Sequence, residues 1–182
     1  MKKRVGIPCG LFYYKYFPLW KSFFENLGAE VIVSGSTNRR ILDLGISNSV
    51  DEACLPVKVF LGHAVSLINK VDYLFVPRFT SISKNEYICP KFGGISDIVR
   101  RLLKKTDTTV LIDTEVNLLK SPGASWKAAV ETGRYLTGDL KLIKEAYQRA
   151  VKDYRAFREK IRNGALPPDY ILRFCSPARK ST

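Results

Sequence analysis

The fold prediction rests on the segment Arg4-Val-Gly-Ile-Pro-Cys9, which has the pattern of a short buried strand that ends in a turn. The aromatic-rich segment 11–27 follows, with apolar residues at helical spacing and Gly28 placed to end the helix. The next segment, Ala29-Glu-Val-Ile-Val-Ser34, predicts a second strand. A strand, a helix and a strand in this order form a βαβ unit, whose strands are parallel and whose crossover is right-handed.

The alternation of strands and helices continues to Asp113. Helices are predicted over 38–48, 56–69 and 95–105, and strands over 71–77 and 108–113, whereas 78–85 and 115–123 are expected to be loops. This order predicts an α/β fold with an open, mostly parallel sheet of the Rossmann or flavodoxin type. Ligands bind beyond the carboxyl ends of the strands in such sheets.

The pattern changes after residue 114. Two further helices are predicted over 126–136 and 140–162, the second with an apolar stripe. We therefore predict an α/β cysteine-bearing domain over 1–114, a helical extension over 115–168 and a polar, disordered tail over 169–182.

Length and composition are those of a folded globular protein, with 182 residues and 46% hydrophobic content. The sequence contains no apolar run long enough to span a membrane, and its basic start is too short for a signal peptide. These features predict a cytoplasmic protein. In that compartment the four cysteines, at 9, 54, 89 and 175, favour ligands, redox groups or buried thiols over a disulfide framework.

The net charge of +13 is concentrated near the end of the chain, with more than half of the excess after Leu140. A basic helix face is usually a solvated surface, so this pattern disfavours nucleic-acid or membrane contact as the main function. It is compatible with an acidic partner or a phosphorylated ligand.

Two segments place a cysteine before a predicted helix, followed by a proline and a lysine: Cys54-Leu-Pro-Val-Lys58 and Cys89-Pro-Lys91. A thiol at a helix start lies at the positive end of the helix dipole, and a nearby lysine also favours the thiolate. One cysteine in this position is more often a small buried residue than a ligand. Two in similar settings favour a metal or redox function.

The spacing of the cysteines excludes a CxxC zinc motif, and His63 is the one histidine, so a four-ligand zinc site is hard to complete. Thiolates from Cys9, Cys54 and Cys89, brought together by loops, would suit an iron–sulfur cluster with one open or non-cysteine position. His63 has three interpretations: an acid, a ligand or a hydrogen-bonded core residue, the last being favoured.

Nucleotide and hydrolase chemistry have little support. Gly6-Ile-Pro-Cys-Gly10 is neither a GxGxxG nor a Walker motif, and the sequence has no GxSxG or HExxH motif. Asp51 and Glu52 are explained as a charge pair at a helix start.

Several segments together resemble the N-terminal half of the acyl-CoA dehydratase activase-related proteins. That family is similar to the iron–sulfur component of 2-hydroxyacyl-CoA dehydratases and to benzoyl-CoA reductase subunits. The resemblance runs from about Val5 to Pro168. It is carried by Gly6-Ile-Pro, Leu11-Phe-Tyr-Tyr-Lys-Tyr-Phe-Pro-Leu-Trp20, Leu27-Gly-Ala-Glu-Val31, Asp51-Glu-Ala-Cys-Leu-Pro-Val-Lys58, Gly62-His63, Asp72-Tyr73 and Glu86-Tyr-Ile-Cys-Pro-Lys-Phe92.

The resemblance implies that Cys54 and Cys89 are ligands of a 4Fe-4S cluster. The supporting residues would be Pro56, Lys58, His63 and Lys91. The cluster would take one electron from an ATP-hydrolysing activase and pass it to a thioester substrate or a partner subunit.

The chain departs from the family pattern in two places. Cys9 stands where the family has a basic residue, so it is either a third ligand or an incidental thiol. The family's chains continue into a second α/β half, whereas this sequence stops at Thr182. It would then be a fragment that holds a cluster weakly or not at all, or it would act with a separately encoded second half. The stripe over 140–161 would be the docking surface for that half or for a second copy of the chain.

We therefore predict an iron–sulfur electron-transfer component or fragment, which as an enzyme would be a CoA-thioester dehydratase or reductase component that needs a partner. The alternative is a cluster-free protein-interaction domain with a basic helical surface.

Overall fold

The computed structural model describes residues 2–83, 86–104, 108–117 and 123–165. The strands are β1 (Arg4–Ile7), β2 (Glu30–Val33), β3 (Tyr73–Phe75), β4 (Arg78–Ser83), β5 (Glu86–Tyr87), β6 (Val110–Ile112) and β7 (Glu115–Asn117). The helices are α1 (Tyr13–Asn26), α2 (Arg39–Ser47), α3 (Leu55–Leu67), α4 (Pro90–Gly93), α5 (Ile95–Leu103), α6 (Ala124–Gly133) and α7 (Leu140–Arg162). The predicted tail over 169–182 and Cys175 lie outside the described residues.

The central sheet has four parallel strands in the order β2-β1-β3-β6. This is the order of the first four strands of a flavodoxin-like sheet, in which the direction of winding changes between β1 and β3. The expected fold class is therefore confirmed. The helix starts follow local signals: the Asn38 side chain accepts a hydrogen bond from the Ile41 amide at the start of α2, and Pro56 lies in the first turn of α3.

Successive side chains of the parallel strands point to opposite faces of the sheet, which creates two hydrophobic cores. Phe75 and Ile112 pack on one face with α1, α6 and α7. Leu74 and Leu111 pack on the other face with α3 and α5. The sheet is thus covered on both sides by helices, as parallel sheets usually are.

The predicted loops over 78–85 and 115–123 contain two of the three strands of a second sheet, so the sequence-based prediction is wrong for 78–83 and 115–117. β4 pairs in parallel with β7, with Arg78 opposite Glu115, and antiparallel with β5. These strands are short and polar, and β4 and β7, which pair with each other, are far apart in the sequence. Local periodicity therefore carries little signal for them.

Most of the apolar stripe of α7 is buried or half-buried, with Leu140 exposed at its start. Ile143, Ala146, Ala150 and Phe157 belong to the same core as the aromatic face of α1. The expected docking surface over 140–161 is therefore already covered by this chain, and the outer face of α7 is the one in contact with solvent. Among the described residues, no helix is both long and apolar enough to cross a membrane.

Candidate functional site

The carboxyl ends of β1 and β3 form the edge of the sheet where the winding changes direction. The helices α3 and α5 lead into β3 and β6, so in this parallel sheet both helices begin at the same edge. Cys9 follows β1, Cys54 precedes α3, and Cys89 precedes α4 and α5. All three predicted site cysteines therefore lie on segments at this edge, where open α/β sheets bind ligands.

Cys54 is the N-cap residue of α3 and is partly exposed. Its carbonyl oxygen accepts hydrogen bonds from the amides of Val57 and Lys58, at 3.0 and 3.1 Å. The Lys58 ammonium donates to the Asp51 carbonyl oxygen at 3.1 Å. Lys58 thus stabilises the loop that precedes α3. It is four residues, or about one helical turn, after Cys54.

Cys89 is the N-cap residue of the short helix α4 and is exposed. The Lys91 ammonium donates to the Glu52 carbonyl oxygen at 3.2 Å. This hydrogen bond joins the segment that carries Cys89 to the turn that carries Cys54. The two predicted ligands are brought into neighbouring segments, each with a lysine bound to the same turn.

Cys9 has different surroundings, since it is 7% exposed and belongs to the core on the α1 side of the sheet. Its amide donates to the Ser34 hydroxyl at 2.9 Å. The same hydroxyl lies 2.8 Å from Nδ1 of His63, and the Thr37 hydroxyl lies 2.9 Å from Nε2. The backbone at Cys9 is therefore anchored to a buried polar network.

His63 is 0% exposed, and both of its ring nitrogens have hydroxyl partners. Desolvation by burial lowers the pKa of His63 to about 4, so the ring is neutral near pH 7. These contacts fit the hydrogen-bonded core residue among the three interpretations. Ser34 directly follows β2 and Thr37 lies three residues further on, so hydroxyl residues after a strand were the available sequence signal for this network.

The described residues contain no group of three or more His, Cys, Asp or Glu side chains that could hold a metal ion. Cys9 thus does not join Cys54 and Cys89 in one ligand set in this structure. A 4Fe-4S cluster is usually held by four thiolates. The two helix-start cysteines fit part of such a set, and the described part of the chain does not complete it.

Two ion pairs hold α5 near this edge, one to the second sheet and one to the end of the central sheet. Arg78 binds the Asp97 carboxylate through both terminal guanidinium nitrogens, at 2.9 and 2.6 Å, and also donates to the Gly93 carbonyl oxygen. The hydrogen bond from Arg78 lowers the pKa of Asp97. Arg100 pairs with Asp113 at the end of β6. These contacts fix the start of α5, and with it the segment after Cys89, against β4.

A small apolar cavity of about 50 Å³ lies behind the turn at Gly10, between the cysteine edge and α1. The rings that line it include Phe12, Tyr16, Phe60, Phe79 and Phe92. A methyl group on Gly10 would lie 3.1 Å from the Phe60 ring, so the turn packs closely there. The edge is thus backed by aromatic side chains rather than by polar groups.

No match was found among curated proteins or among solved structures. The family described as "CoA enzyme activase uncharacterised domain" matches residues 4–170, which is most of the chain. This match confirms the suspected relationship, and the chain belongs to that CoA enzyme activase domain family.

Proposed function

We propose that this chain is the cysteine-bearing component of a CoA-enzyme activation system, in which Cys54 and Cys89 are ligands of a 4Fe-4S cluster. The observation that carries the proposal is the hydrogen bond from Lys91 to Glu52, which joins the segments of two cysteines that each begin a helix. The family description supports the CoA-enzyme context. Thiolates are the usual protein ligands of such clusters.

The remaining ligands would come from a partner chain or a separate second half. The proposed partners are an ATP-dependent activase, a dehydratase subunit or a separate second half. When bound, the cluster supplies one-electron transfer. The residues of this chain would hold it: Cys54 and Cys89 as thiolates, and Lys58 and Lys91 by fixing the turn and offsetting negative charge. A cytoplasmic location stays a prediction.

The test is the content of iron and acid-labile sulfide after anaerobic purification and reconstitution, together with the electron paramagnetic resonance spectrum of the reduced protein. We expect Cys54→Ala and Cys89→Ala each to lose most of the iron. Cys9→Ala decides whether the buried thiol is a third ligand. Cys175→Ala is the matched control, because it also removes one thiol and is not among the proposed ligands.

Iron that is retained in both Cys54→Ala and Cys89→Ala would contradict the assignment of the ligands. A wild-type chain without iron, even after reconstitution with candidate partners, would contradict the cluster itself. Circular dichroism of each variant distinguishes loss of iron from loss of the fold.

The basic outer face of α7 favours a second candidate, a cluster-free interaction domain. Its exposed basic residues include Lys144, Lys152, Arg155 and Arg158, whereas Ile143, Ala146, Ala150 and Phe157 are buried on the opposite side. A colourless protein that binds an acidic polypeptide, with affinity that falls steeply as salt rises, would favour this candidate. Binding that is insensitive to salt, or a brown protein, would contradict it.

A further inference from the structure

The outer side of α7 carries a row of basic residues. Lys144 and Lys152 are about two helical turns apart, and three arginines follow at intervals of three or four residues, which places all five on one side of the helix. All five are exposed, and none forms an ion pair with any residue that the structure describes. We refer to Lys144, Lys152, Arg155, Arg158 and Arg162 as the basic row.

The flank of α7 next to α1 is used within the chain. The Ser22 hydroxyl donates to the Asp153 carboxylate, and the Arg149 guanidinium donates to the side-chain oxygen of Asn26. These contacts leave the basic row in contact with solvent. Glu159 is an acidic residue on the same side as the row, so the charge there remains strongly positive.

An apolar hollow opens beside the basic row. A cavity of about 340 Å³ lies between α1, α6 and α7, and its walls include Leu19 and Ala129. A surface groove of about 530 Å³ follows α7 and shares Tyr147, Val151 and Arg155 with this cavity. Leu19, Tyr147 and Val151 are only partly buried, so apolar surface is accessible next to the charges.

Accessible apolar surface beside a row of cations is complementary to an amphipathic helix with an acidic polar face. In recognition of this kind, apolar side chains at i, i+3, i+4 and i+7 enter the groove. Carboxylates on the same helix would then lie opposite the basic row. A nucleic-acid strand would pair with the charges but would leave the apolar hollow uncovered, so the surface favours a polypeptide.

We propose that this surface binds an acidic amphipathic helix of a partner protein. Apolar side chains of the partner would lie against Leu19 and Val151, and its carboxylates would meet the basic row. Burial of the apolar side chains stabilises the complex, whereas the charges speed association and select the partner. The proposal specifies the groove and the kind of segment that occupies it, and it holds with or without iron at Cys54 and Cys89.

The probe is a fluorescently labelled helical peptide of about 18 residues, because the basic row covers about five helical turns. It has leucine at i, i+3, i+4 and i+7, glutamate on the opposite face and alanine elsewhere. Fluorescence anisotropy with the full chain should show binding that weakens about tenfold when salt rises from ~50 to ~300 mM. A peptide with serine for leucine, and one with lysine for glutamate, should each bind at least about tenfold more weakly.

Two variants of the chain test the two parts of the surface. Lys152→Glu combined with Arg155→Glu should weaken peptide binding at least about tenfold, because two attractive contacts become repulsive. The matched control combines Arg101→Glu with Lys104→Glu, which changes the net charge equally at exposed positions of α5, the helix on the other face of the sheet. Val151→Ser should weaken the leucine peptide and leave the weak binding of the serine peptide unchanged.

Thermal unfolding of each variant distinguishes loss of binding from loss of the fold. A wild-type chain that does not bind the acidic leucine peptide at millimolar concentration would overturn the proposal. Equal weakening by the α7 and α5 charge reversals would also overturn it, since net charge and not this surface would then be responsible. A single-stranded oligonucleotide that binds the α7 surface more tightly than the peptide would replace the proposed partner with a nucleic acid.

Discussion

The surroundings of His63 determine how it responds to pH. The ring is fully buried between the Ser34 and Thr37 hydroxyl groups, and burial lowers its pKa to about 4. In the unfolded chain a histidine titrates near pH 6.5. Between about pH 6.5 and pH 4 the unfolded chain therefore binds a proton that the native chain does not bind.

This difference predicts a loss of stability in acid. The free energy of unfolding should be independent of His63 above about pH 7 and should fall by up to about 3 kcal/mol as the pH is lowered toward 4. His63→Gln has no titrating ring, so its stability should depend less on pH over this window. Urea unfolding of both proteins at several pH values provides the test. Since the carboxylates are common to both proteins, parallel curves would contradict the depressed pKa of His63.

The helix pair α2 and α3 depends on two glycines for its close approach. A β-carbon on Gly45 would overlap the Lys58 carbonyl oxygen, and one on Gly62 would overlap the Ile41 carbonyl oxygen. In each case the obstructing atom belongs to the backbone, so rotation of a side chain cannot relieve the overlap. The Gly62-His63 segment thus has a packing function as well as a place in the family pattern.

We expect Gly45→Ala and Gly62→Ala each to destabilise the protein by about 3 kcal/mol, because the two helices must move apart to admit a methyl group. The measurement is the midpoint and slope of chemical unfolding. Gly138→Ala is the matched control, because Gly138 has open space around its α-carbon and a negative φ, and it should change stability by less than about 1 kcal/mol. Equal effects at all three positions would mean that close packing of α2 on α3 is not the cause.

Helices and strands differ in how well the sequence predicts them. α7 has the predicted bounds 140–162. The Asp139 side chain caps its start by accepting hydrogen bonds from two amides, and Gly164, with φ of 93°, follows its end. β4 and β7 lie where loops were predicted, since both are short and polar and they pair with each other across a long stretch of sequence. Caps and periodicity are local properties, whereas strand pairing depends on the path of the whole chain.

The chain as a whole is held together by the contact of α7 with α1 and α6. Ile143 is 0% exposed and lies against Gly133 of α6, and Ala146 and Ala150 lie in the core that includes the α1 aromatics. The proposed boundary at residue 114 stays a prediction. Residues after that boundary nevertheless pack in the same hydrophobic core as the strands of the central sheet.

Ile143→Ala should therefore destabilise the whole chain and not only its last helices. We expect a loss of about 3 kcal/mol, typical of a large buried aliphatic side chain truncated to alanine, with a single unfolding transition. Leu142→Ala is the control at the neighbouring position, since Leu142 is 37% exposed, and it should cost less than about 1 kcal/mol. Two transitions, of which only one shifts in Ile143→Ala, would indicate that the helical part unfolds independently of the sheet.

The candidate site was predicted in part. The positions of Cys54 and Cys89 at helix starts follow from local sequence, because a cysteine, a proline and the start of an apolar period occur together. The hydrogen bond from Lys91 to Glu52 was not predictable in this way, since it joins segments far apart in the sequence. The burial of Cys9 and the partners of His63 likewise depend on how β1, β2 and α3 meet.

The sequence by itself determined the alternation of strands and helices, the parallel sheet, the helix starts at both cysteines and the family relationship. These depend on periodicity, capping residues and short motifs, which are all local along the chain. Only the tertiary structure decided the second sheet, the burial of most of the α7 stripe, the neutral His63 and the close approach of α2 and α3 at Gly45 and Gly62. Each of these results from contacts between residues that are distant in sequence. No local pattern specifies which of them are buried or paired.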